Sequence, residues 1–324
     1  MSDTTRFRML YAGPVLAIGE IRWRGSATGY SREFSEPMAE ITFQRRGMFV
    51  KNHGPRRDAC DPNTLLFIDA DEPYRLSHPA ELDCACTALY LSRDAVRDLV
   101  RRAGGSATAV DTGSFGFADG PGRRDFTLRH YALLARARQF HETETASPAD
   151  SRHAPDRAAA LELEERGLRL AAAAVDASLR FHTRRRRAIR PETRRFRRDT
   201  AEAVKSLLAS HLQEGVSLAE LAARVHVAPS HLCRLFKQET GRSMHQYLGR
   251  LRLLQSVEHL LEPGENLMAL AMRMGFSHHS HFTREFSREF GIPPSRVRRF
   301  GTLRPAAAAG RRGTLFSETG LAGS

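Results

Sequence analysis

Cysteine is scarce in this chain, with four among 324 residues, and tryptophan occurs only once. So few thiols indicate a reducing compartment rather than a disulfide scaffold. Long apolar runs are also missing. The most apolar early stretch, residues 9–18, is interrupted by Gly13 and Pro14 and is much shorter than the roughly 20 residues needed to span a bilayer. The stretch also lacks a signal-peptide layout. These absences predict a cytoplasmic protein without a membrane partner.

Acidic residues are too few to balance the basic ones, 37 against 50, which leaves a net charge of +13. The imbalance is concentrated in one region. Residues 1–182 hold 25 charges of each sign, whereas residues 183–304 hold 23 basic and 11 acidic residues. A solvated basic surface would not concentrate the excess in this way. A neutral half joined to a basic half indicates a sensing or assembly part joined to a part that binds a polyanion.

The basic half contains one pattern twice. The first copy consists of Leu218, Leu221, Ala222, Val225, Ser230, Leu232, Arg234, Phe236 and Gly241, and the second of Leu267, Leu270, Ala271, Met274, Ser280, Phe282, Arg284, Phe286 and Gly291. The offset is 49 residues in the first half of the pattern and 50 in the second, so the extra residue falls in the connecting turn. This arrangement predicts two helix-turn-helix units.

Each copy has the residues that begin and end such helices. Ser217 stands three residues before a glutamate, which is the spacing of a capping box. Pro229 suits the first turn of the second helix, and Gly241 suits its end. In the second copy, Asn266 and Ser277 are the expected caps. The apolar positions between them recur three and four residues apart and predict buried stripes.

A single helix is predicted between the two copies. Ser243 and Gln246 form another capping box, and an apolar stripe continues until Pro263 and Gly264. From Met244 to Leu261 the helix would be roughly 27 Å long at about 1.5 Å per residue, comparable with the ~34 Å of one duplex turn. Two units held that far apart can reach adjacent major grooves.

The double pattern, the intervening helix and the C-terminal motifs together resemble the AraC/XylS transcription regulators, over about the last third of the chain. The motifs are Gly275-Phe276, Phe282-Thr283-Arg284-Glu285-Phe286 and Phe290-Gly291-Ile292-Pro293-Pro294. The resemblance implies a sequence-specific DNA-binding transcription regulator, an activator, with double-stranded DNA and RNA polymerase as partners. Carried over position by position, it implies base reading by Ser230, Cys233 and Arg234 in the first unit and by His279, Ser280, Thr283 and Arg284 in the second.

Phosphate contacts are expected from basic residues beside the motif and on its second helices, namely Arg184, Arg185, Arg186, Arg187, Lys237 and Arg288. The arginine-rich stretch reads as a linker that also lies against phosphates. The alternative is a linker that is merely solvated. Phosphate contacts would raise affinity and its salt sensitivity without specifying a sequence.

The first hundred residues are predicted to be mostly β-structure. Short runs at 15–23, 41–50, 64–68 and 82–91 are separated by clusters of turn-forming residues. Their close spacing favours a small sandwich or barrel, and the resemblance implies a cupin-like jelly roll. The expected fold class is therefore α+β, with a β-rich N-terminal domain, further helices, and a C-terminal all-α double helix-turn-helix domain.

Aromatic residues of this β-rich part have two interpretations. Trp23, Phe43, Phe49, Tyr74 and His78 could line a pocket for a small-molecule effector, or they could fill the core of the barrel, as aromatics of small barrels commonly do. Neither interpretation is excluded by the sequence.

Signals of catalysis or metal binding are weak. The metal-binding pattern of cupins, His-x-His followed by Glu, is missing, and no nucleophile with a recognisable turn is present. Cys84 and Cys86 would share one face of a strand, which suits a half-buried strand as well as a metal clip. We therefore expect no catalytic residue, metal or cofactor. The alternative is a DNA-modifying or repair enzyme that uses the double motif for targeting and a thiol among Cys60, Cys84 and Cys86 for chemistry.

Two helical segments lie between the parts, at 126–140 and at 161–179, where Leu161, Leu168, Ala172, Val175 and Leu179 form an apolar stripe. Their buried partner is either a second copy of the chain, as the resemblance implies, or the chain's own barrel. The predicted organisation is a β-rich effector-binding or regulatory domain at 1–100, a helical segment at 101–182, an arginine-rich linker at 183–198, the double helix-turn-helix domain at 199–304, and a disordered tail at 305–324.

Overall fold

The computed structural model describes residues 4–24, 29–78, 83–146, 156–185, 191–261 and 264–301. The strands within these ranges are β1 (Thr4–Ala12), β2 (Leu16–Arg24), β3 (Ala39–Arg46), β4 (Phe49–His53), β5 (Arg56–Cys60), β6 (Thr64–Ile68), β7 (Arg75–Ser77), β8 (Cys84–Leu91) and β9 (Asp119–Pro121). The helices are α1 (Arg93–Arg102), α2 (Ala107–Thr112), α3 (Arg124–Ala146), α4 (Arg157–Arg185), α5 (Pro191–Ser210), α6 (Leu218–Arg224), α7 (Pro229–Thr240), α8 (Met244–Leu260), α9 (Leu267–Arg273), α10 (His279–Phe290) and α11 (Pro294–Gly301).

The strands form two antiparallel sheets. The larger has the order β1-β2-β8-β3-β6-β9 and the smaller has the order β5-β4-β7. One face of the larger sheet packs against helices α1, α3 and α4. The opposite face meets the smaller sheet, where Leu66 and Ile68 pack with Phe49 and Cys60. Alternation of side chains along each strand supplies both cores.

One predicted strand is wrong in its extent. The run 41–50 divides into β3 and β4, because the chain turns at Gly47, which has a φ of 69°. A Cβ there would stand 2.5 Å from the carbonyl oxygen of Asp83, so glycine also permits the close approach of the β8 entry. The predicted run 64–68 coincides with β6. Within the described residues, the N-terminal region therefore consists of two packed sheets and the helices that cover the larger one.

The helices α3 and α4 lie against their own sheet. Leu133 and Leu134 of α3, with Leu163 and Leu170 of α4, are buried in the core below the larger sheet. The stripe predicted from Leu161 is wrong in part: Leu161 is 66% exposed, since the buried face of α4 runs through residues two positions later. Packing against the chain's own sheet is thus the contact that these faces make.

Helical structure enters the arginine-rich stretch 183–198 from both sides, through α4 up to Arg185 and through α5 from Pro191. Arg198 on α5 forms ion pairs with Asp58 of β5 and Asp119 of β9. The predicted tail 305–324 lies outside the described residues. Among the described residues, no helix combines the length and apolar character needed to cross a membrane.

Helices α5 to α11 form the C-terminal part around two cores. The first unit, α6 and α7, packs with α5 and with Tyr247 of α8. The second unit, α9 and α10, packs with α8 and α11. Its core also includes Met48, Val50 and Ala59 from the N-terminal domain. The N-terminal domain is therefore joined to the second unit through shared apolar packing.

Candidate DNA interface

The two helix-turn-helix units have the same framework. The first helices, α6 and α9, each have 7 residues, and the second helices, α7 and α10, each have 12. Gly241 and Gly291 end the second helices with φ values of 76° and 74°, in the left-handed region that favours glycine. The duplicated spacing of the sequence thus produces duplicated backbone geometry.

The predicted caps are confirmed with one exception. Ser217 and Glu220 form a reciprocal capping box at α6, and Asn266 accepts backbone hydrogen bonds from Met268 and Ala269 at α9. Ser277 is not the cap of α10. That helix begins one residue later, with His278 at the cap position and no side-chain capping bond. The capping box at the start of α8 is present as predicted.

Apolar anchors fix the inner face of each second helix. Leu232 and Phe236 of α7 and Phe282 and Phe286 of α10 are fully buried. With the buried Leu235 and Phe290, these anchors recur at three- and four-residue spacing, so the positions on the opposite side of each helix turn outward. The rings of Phe236 and Tyr247 meet edge to face, 5.3 Å apart, which attaches α7 to α8.

The outward positions are those predicted to read bases. Ser230, Cys233 and Arg234 are exposed on α7. On α10, Ser280 and Arg284 are exposed, whereas His279 and Thr283 are half-buried, with Nε2 and Oγ1 3.4 Å apart. The structure therefore groups each predicted set on one outer face. The first set presents a hydroxyl, a thiol and a guanidinium, and the second an imidazole, two hydroxyls and a guanidinium.

Charge on these faces is positive. Within the described ranges, neither Arg234 nor Arg284 has a carboxylate within 4.0 Å, so both guanidinium groups are available for an anionic or polar partner. Lys237 is also exposed, while Arg288 is exposed and pairs with Glu285. Such an arrangement can hold phosphate oxygens and the acceptor edges of bases.

The predicted phosphate arginines before the motif are only partly described. Arg184 is exposed near the end of α4, and Arg185 ends that helix. Arg186 and Arg187 lie outside the described residues.

A buried charge cluster that the sequence did not reveal joins the N-terminal sheet to α8. Arg45 has no exposed side-chain surface, and its Nη2 and Nη1 lie 2.8 Å from Glu20 and 2.7 Å from Glu258. Arg138 of α3 also pairs with Glu20. Burial alone would raise the pKa of Glu258, but Arg45 and then Arg138 hold that pKa below its usual range. Arg45 and Glu258 are 213 positions apart in the chain, so no local sequence pattern could have predicted their ion pair.

The aromatic residues proposed as an effector pocket do not all lie together. Trp23 stacks on His78 with ring centroids 3.8 Å apart, and Phe49 lies 6.4 Å from His78. Tyr74 packs with Phe49 in the core between the sheets. Phe43 is on the opposite face of the larger sheet, stacked on His130 of α3. The structure thus separates Phe43 from the other four.

The three cysteines of the β-rich domain are buried, and burial raises the pKa of each thiol, to about 12 for Cys84. Because the thiolate is the nucleophile, these environments disfavour thiol chemistry. Cys233 is the exposed one. Across the described ranges, no group of three or more His, Cys, Asp or Glu side chains is placed to hold a metal ion.

Comparisons with known proteins find a helix-turn-helix domain in the same part of the chain. The helix-turn-helix domain family matches residues 221–299. The multiple antibiotic resistance protein MarA of Escherichia coli (strain K12) is 31% identical over 99 residues, covering 31% of this chain and 78% of MarA. The uncharacterized HTH-type transcriptional regulator YobQ of Bacillus subtilis (strain 168) is 36% identical over 85 residues, 26% of this chain and 35% of YobQ. The chain therefore spans about a third of YobQ but more than three quarters of MarA.

A crystal structure of a transcriptional regulator of the AraC-type DNA-binding domain-containing proteins from Chromobacterium violaceum is 26% identical. The match covers 33% of this chain and 96% of the solved chain, with a TM-score of 0.32. The family of this chain is shown by its sequence relatives.

Two capped helix-turn-helix units with basic outer faces, joined by one helix, define a DNA-binding protein that regulates transcription. The chain belongs to the AraC/XylS family of transcription regulators. These relatives are transcription regulators and not enzymes.

Proposed function

We propose that this chain activates transcription by placing α7 and α10, its two recognition helices, in successive major grooves on one side of the duplex. The observation that carries this proposal is the outward position of both predicted reading sets, on two helices that pack against the same connecting helix α8. The 17 residues of α8 span ~25 Å at about 1.5 Å per residue, against ~34 Å for one duplex turn. That separation supports contact with adjacent grooves.

In this proposal the arginines of the two faces read base edges. Arg234 and Arg284 suit the paired acceptors of guanine, and the hydroxyl, thiol and imidazole groups beside them add shorter contacts. Those neighbours are Ser230, Cys233, His279, Ser280 and Thr283. Because the two sets differ, one monomer would recognise an asymmetric site.

Phosphate contacts would come from Lys237, Arg288 and the run Arg184–Arg187. Neutralising that run should weaken binding to every DNA sequence and flatten the salt dependence of binding. Each arginine that no longer contacts a phosphate means that fewer counterions are released on binding. Binding measured from 50 to 300 mM salt on the selected site and on unrelated DNA tests this part.

The remaining roles belong to the N-terminal domain. We propose a cupin-like jelly roll there, supported by the two packed antiparallel sheets of its described residues. A small-molecule effector would bind near Trp23, Phe49, Tyr74 and His78. Effector binding would alter how much of the DNA site is occupied, or how the protein contacts RNA polymerase. The protein would act in the cytoplasm, as a monomer or a homodimer.

The experiment selects bound sites from random DNA with the full chain and then footprints single variants on the selected site. Arg234→Ala and Arg284→Ala should each cost ~1–3 kcal/mol of binding free energy, at bases in separate halves of the site. Arg101→Ala removes one charge from an exposed pair with Asp98 on α1 and serves as the control. Footprints changed at the same bases by both variants would contradict two-groove reading.

A further inference from the structure

The turn between β5 and β6 meets the DNA-binding domain at one side of α8. It contains Asp61 and Asn63, which are 0% and 4% exposed. Asp61 accepts a hydrogen bond from the backbone N–H of Asn63 at 2.8 Å, which shapes the turn. Two polar side chains of the N-terminal domain are therefore buried against a helix that belongs to the reading domain.

Tyr247 connects this turn to the first recognition helix. Its hydroxyl donates to Oδ2 of Asp61 at 2.7 Å, and Nδ2 of Asn63 donates to its backbone carbonyl at 3.1 Å. The ring of Tyr247 packs edge to face on Phe236, the fully buried anchor of α7. One side chain thus contacts the turn and the base of α7 together.

Arg250 connects the same turn to the second recognition helix. Its Nη1 donates to Oδ1 of Asn63 at 2.8 Å, and its Nε donates to Oε1 of Glu289 on α10 at 2.7 Å. Arg250 is 5% exposed and the side chain of Glu289 is 23% exposed, so the bond to Asn63 is buried and the bond to Glu289 is partly buried. Tyr247 and Arg250 stand three residues apart and therefore lie on one face of α8.

We infer that Asp61, Asn63, Tyr247 and Arg250 are positioning residues that set the placement of α7 relative to α10. This inference rests on the proposed two-groove reading. None of the four reads DNA. Movement of the turn displaces the supports of both recognition helices together, because directional buried hydrogen bonds tolerate little change in distance or angle. The N-terminal domain thereby influences which half-site spacing the protein accepts.

The test compares two DNA duplexes: the selected site, and the same site with one base pair inserted between its halves. One base pair changes the separation by ~3.4 Å and the rotation by roughly 34°. Wild-type full chain is expected to bind the inserted site at least tenfold more weakly. The double variant Tyr247→Phe with Asn63→Ala is expected to reduce that penalty to below threefold. Its two recognition helices can then adjust to either spacing.

Tyr247→Phe keeps the ring on Phe236 and removes only the hydroxyl, with its hydrogen bonds to Asp61 and Thr64 of the same turn and strand entry. Each substitution is also measured alone, so that loss of folding in one leaves the other as the test. The control is Tyr90→Phe, a buried tyrosine of the larger sheet outside this contact, whose spacing penalty should equal that of the wild type. Circular dichroism verifies folding of every variant.

A merely structural role would weaken binding to both duplexes by the same factor. An unchanged spacing penalty in Tyr247→Phe and in the double variant, beside a tenfold penalty in the wild type, would overturn the inference alone. Equal binding of both duplexes by the wild type would instead refute the two-groove function on which the inference rests.

Discussion

The two helix-turn-helix units share their backbone plan but differ in what completes their cores. The first unit is closed by α5, whose Ala201, Val204 and Leu208 pack below α6 and α7. The core of the second unit continues into the N-terminal domain through Met48, which precedes β4, and Val50 of β4. A duplicated sequence pattern therefore yields two units of unequal dependence: the first is completed by its own domain, and the second partly by its neighbour.

The largest expected effect tests that dependence at Arg45. Arg45→Met removes the cation shared by Glu20 and Glu258 and leaves two buried carboxylates without it, which should cost ~3–5 kcal/mol of unfolding free energy. Urea unfolding of the full chain, followed by fluorescence of the single tryptophan, Trp23, measures the loss. We expect the half-site of the second unit to lose footprint protection at lower urea than that of the first.

The control for this change is Arg169→Met on α4. Arg169 pairs with Glu165 at 2.6 Å, but the two side chains are 75% and 55% exposed. Exposed pairs contribute little, so a change within about 0.5 kcal/mol is expected. If Arg45→Met lost less than ~1 kcal/mol of unfolding free energy, the charge cluster would not support the packing of the N-terminal domain on the second unit.

A smaller effect concerns how stability depends on pH where the N-terminal domain packs on α8. His130 is buried against Phe43 and borders a cavity of about 30 Å³ that Leu254 of α8 also lines. Burial, and then the charges of Arg45 and Arg138, lower the pKa of His130 well below 6.5. Below pH 6.5 the unfolded chain binds a proton that the folded chain does not, so this residue makes stability fall as pH falls, by up to about 1.4 kcal/mol per pH unit.

His130→Phe keeps a ring on Phe43 and removes the titrating group. Urea unfolding between pH 7.5 and 5 should therefore show a shallower loss of stability in the variant than in the wild type. Burial raises the pKa of Glu36 to about 7, which acts in the opposite direction, but it does so in both proteins. His245→Phe, at an exposed position of α8, is the control. Equal slopes in His130→Phe and wild type would contradict the prediction.

The smallest effect compares the caps of the two units. Ser217 caps α6 and Asn266 caps α9, each accepting backbone hydrogen bonds. Replacing either with alanine should cost ~1 kcal/mol, since a helix N-terminus loses its side-chain acceptor. Footprinting of each half-site and unfolding in urea should show local and equal losses. A cost that differs by more than ~1 kcal/mol between the variants would show that the caps are not equivalent.

Local sequence was a good guide to the C-terminal domain. The capping boxes at Ser217 and Ser243, the proline at α7 and the glycine ends depend on groups three or four residues apart, so spacing alone predicts them. The error at Ser277 is of one residue, at a helix start without a side-chain cap. Helix boundaries are sensitive to such small competing choices.

Sequence was a poorer guide to the N-terminal domain. Strand periodicity predicted β6, but the face that each aromatic residue occupies depends on strand pairing and on the bulge between Gln44 and Arg46. For that reason Phe43 lies under α3, while Trp23 and Phe49 meet His78 elsewhere. The positioning contact of Asp61 with Tyr247 spans 186 residues and had no local signal.

By itself, the sequence determined the DNA-binding class, the two units, their caps and the outward side chains that differ between them, because helix periodicity and capping act within a few residues. Only the tertiary structure decided that the second unit completes its core with N-terminal strands, and that Arg45 and the Asp61–Asn63 turn hold α8. Those contacts join residues far apart in the chain, and their stability depends on burial, which exists only once both domains have folded against each other.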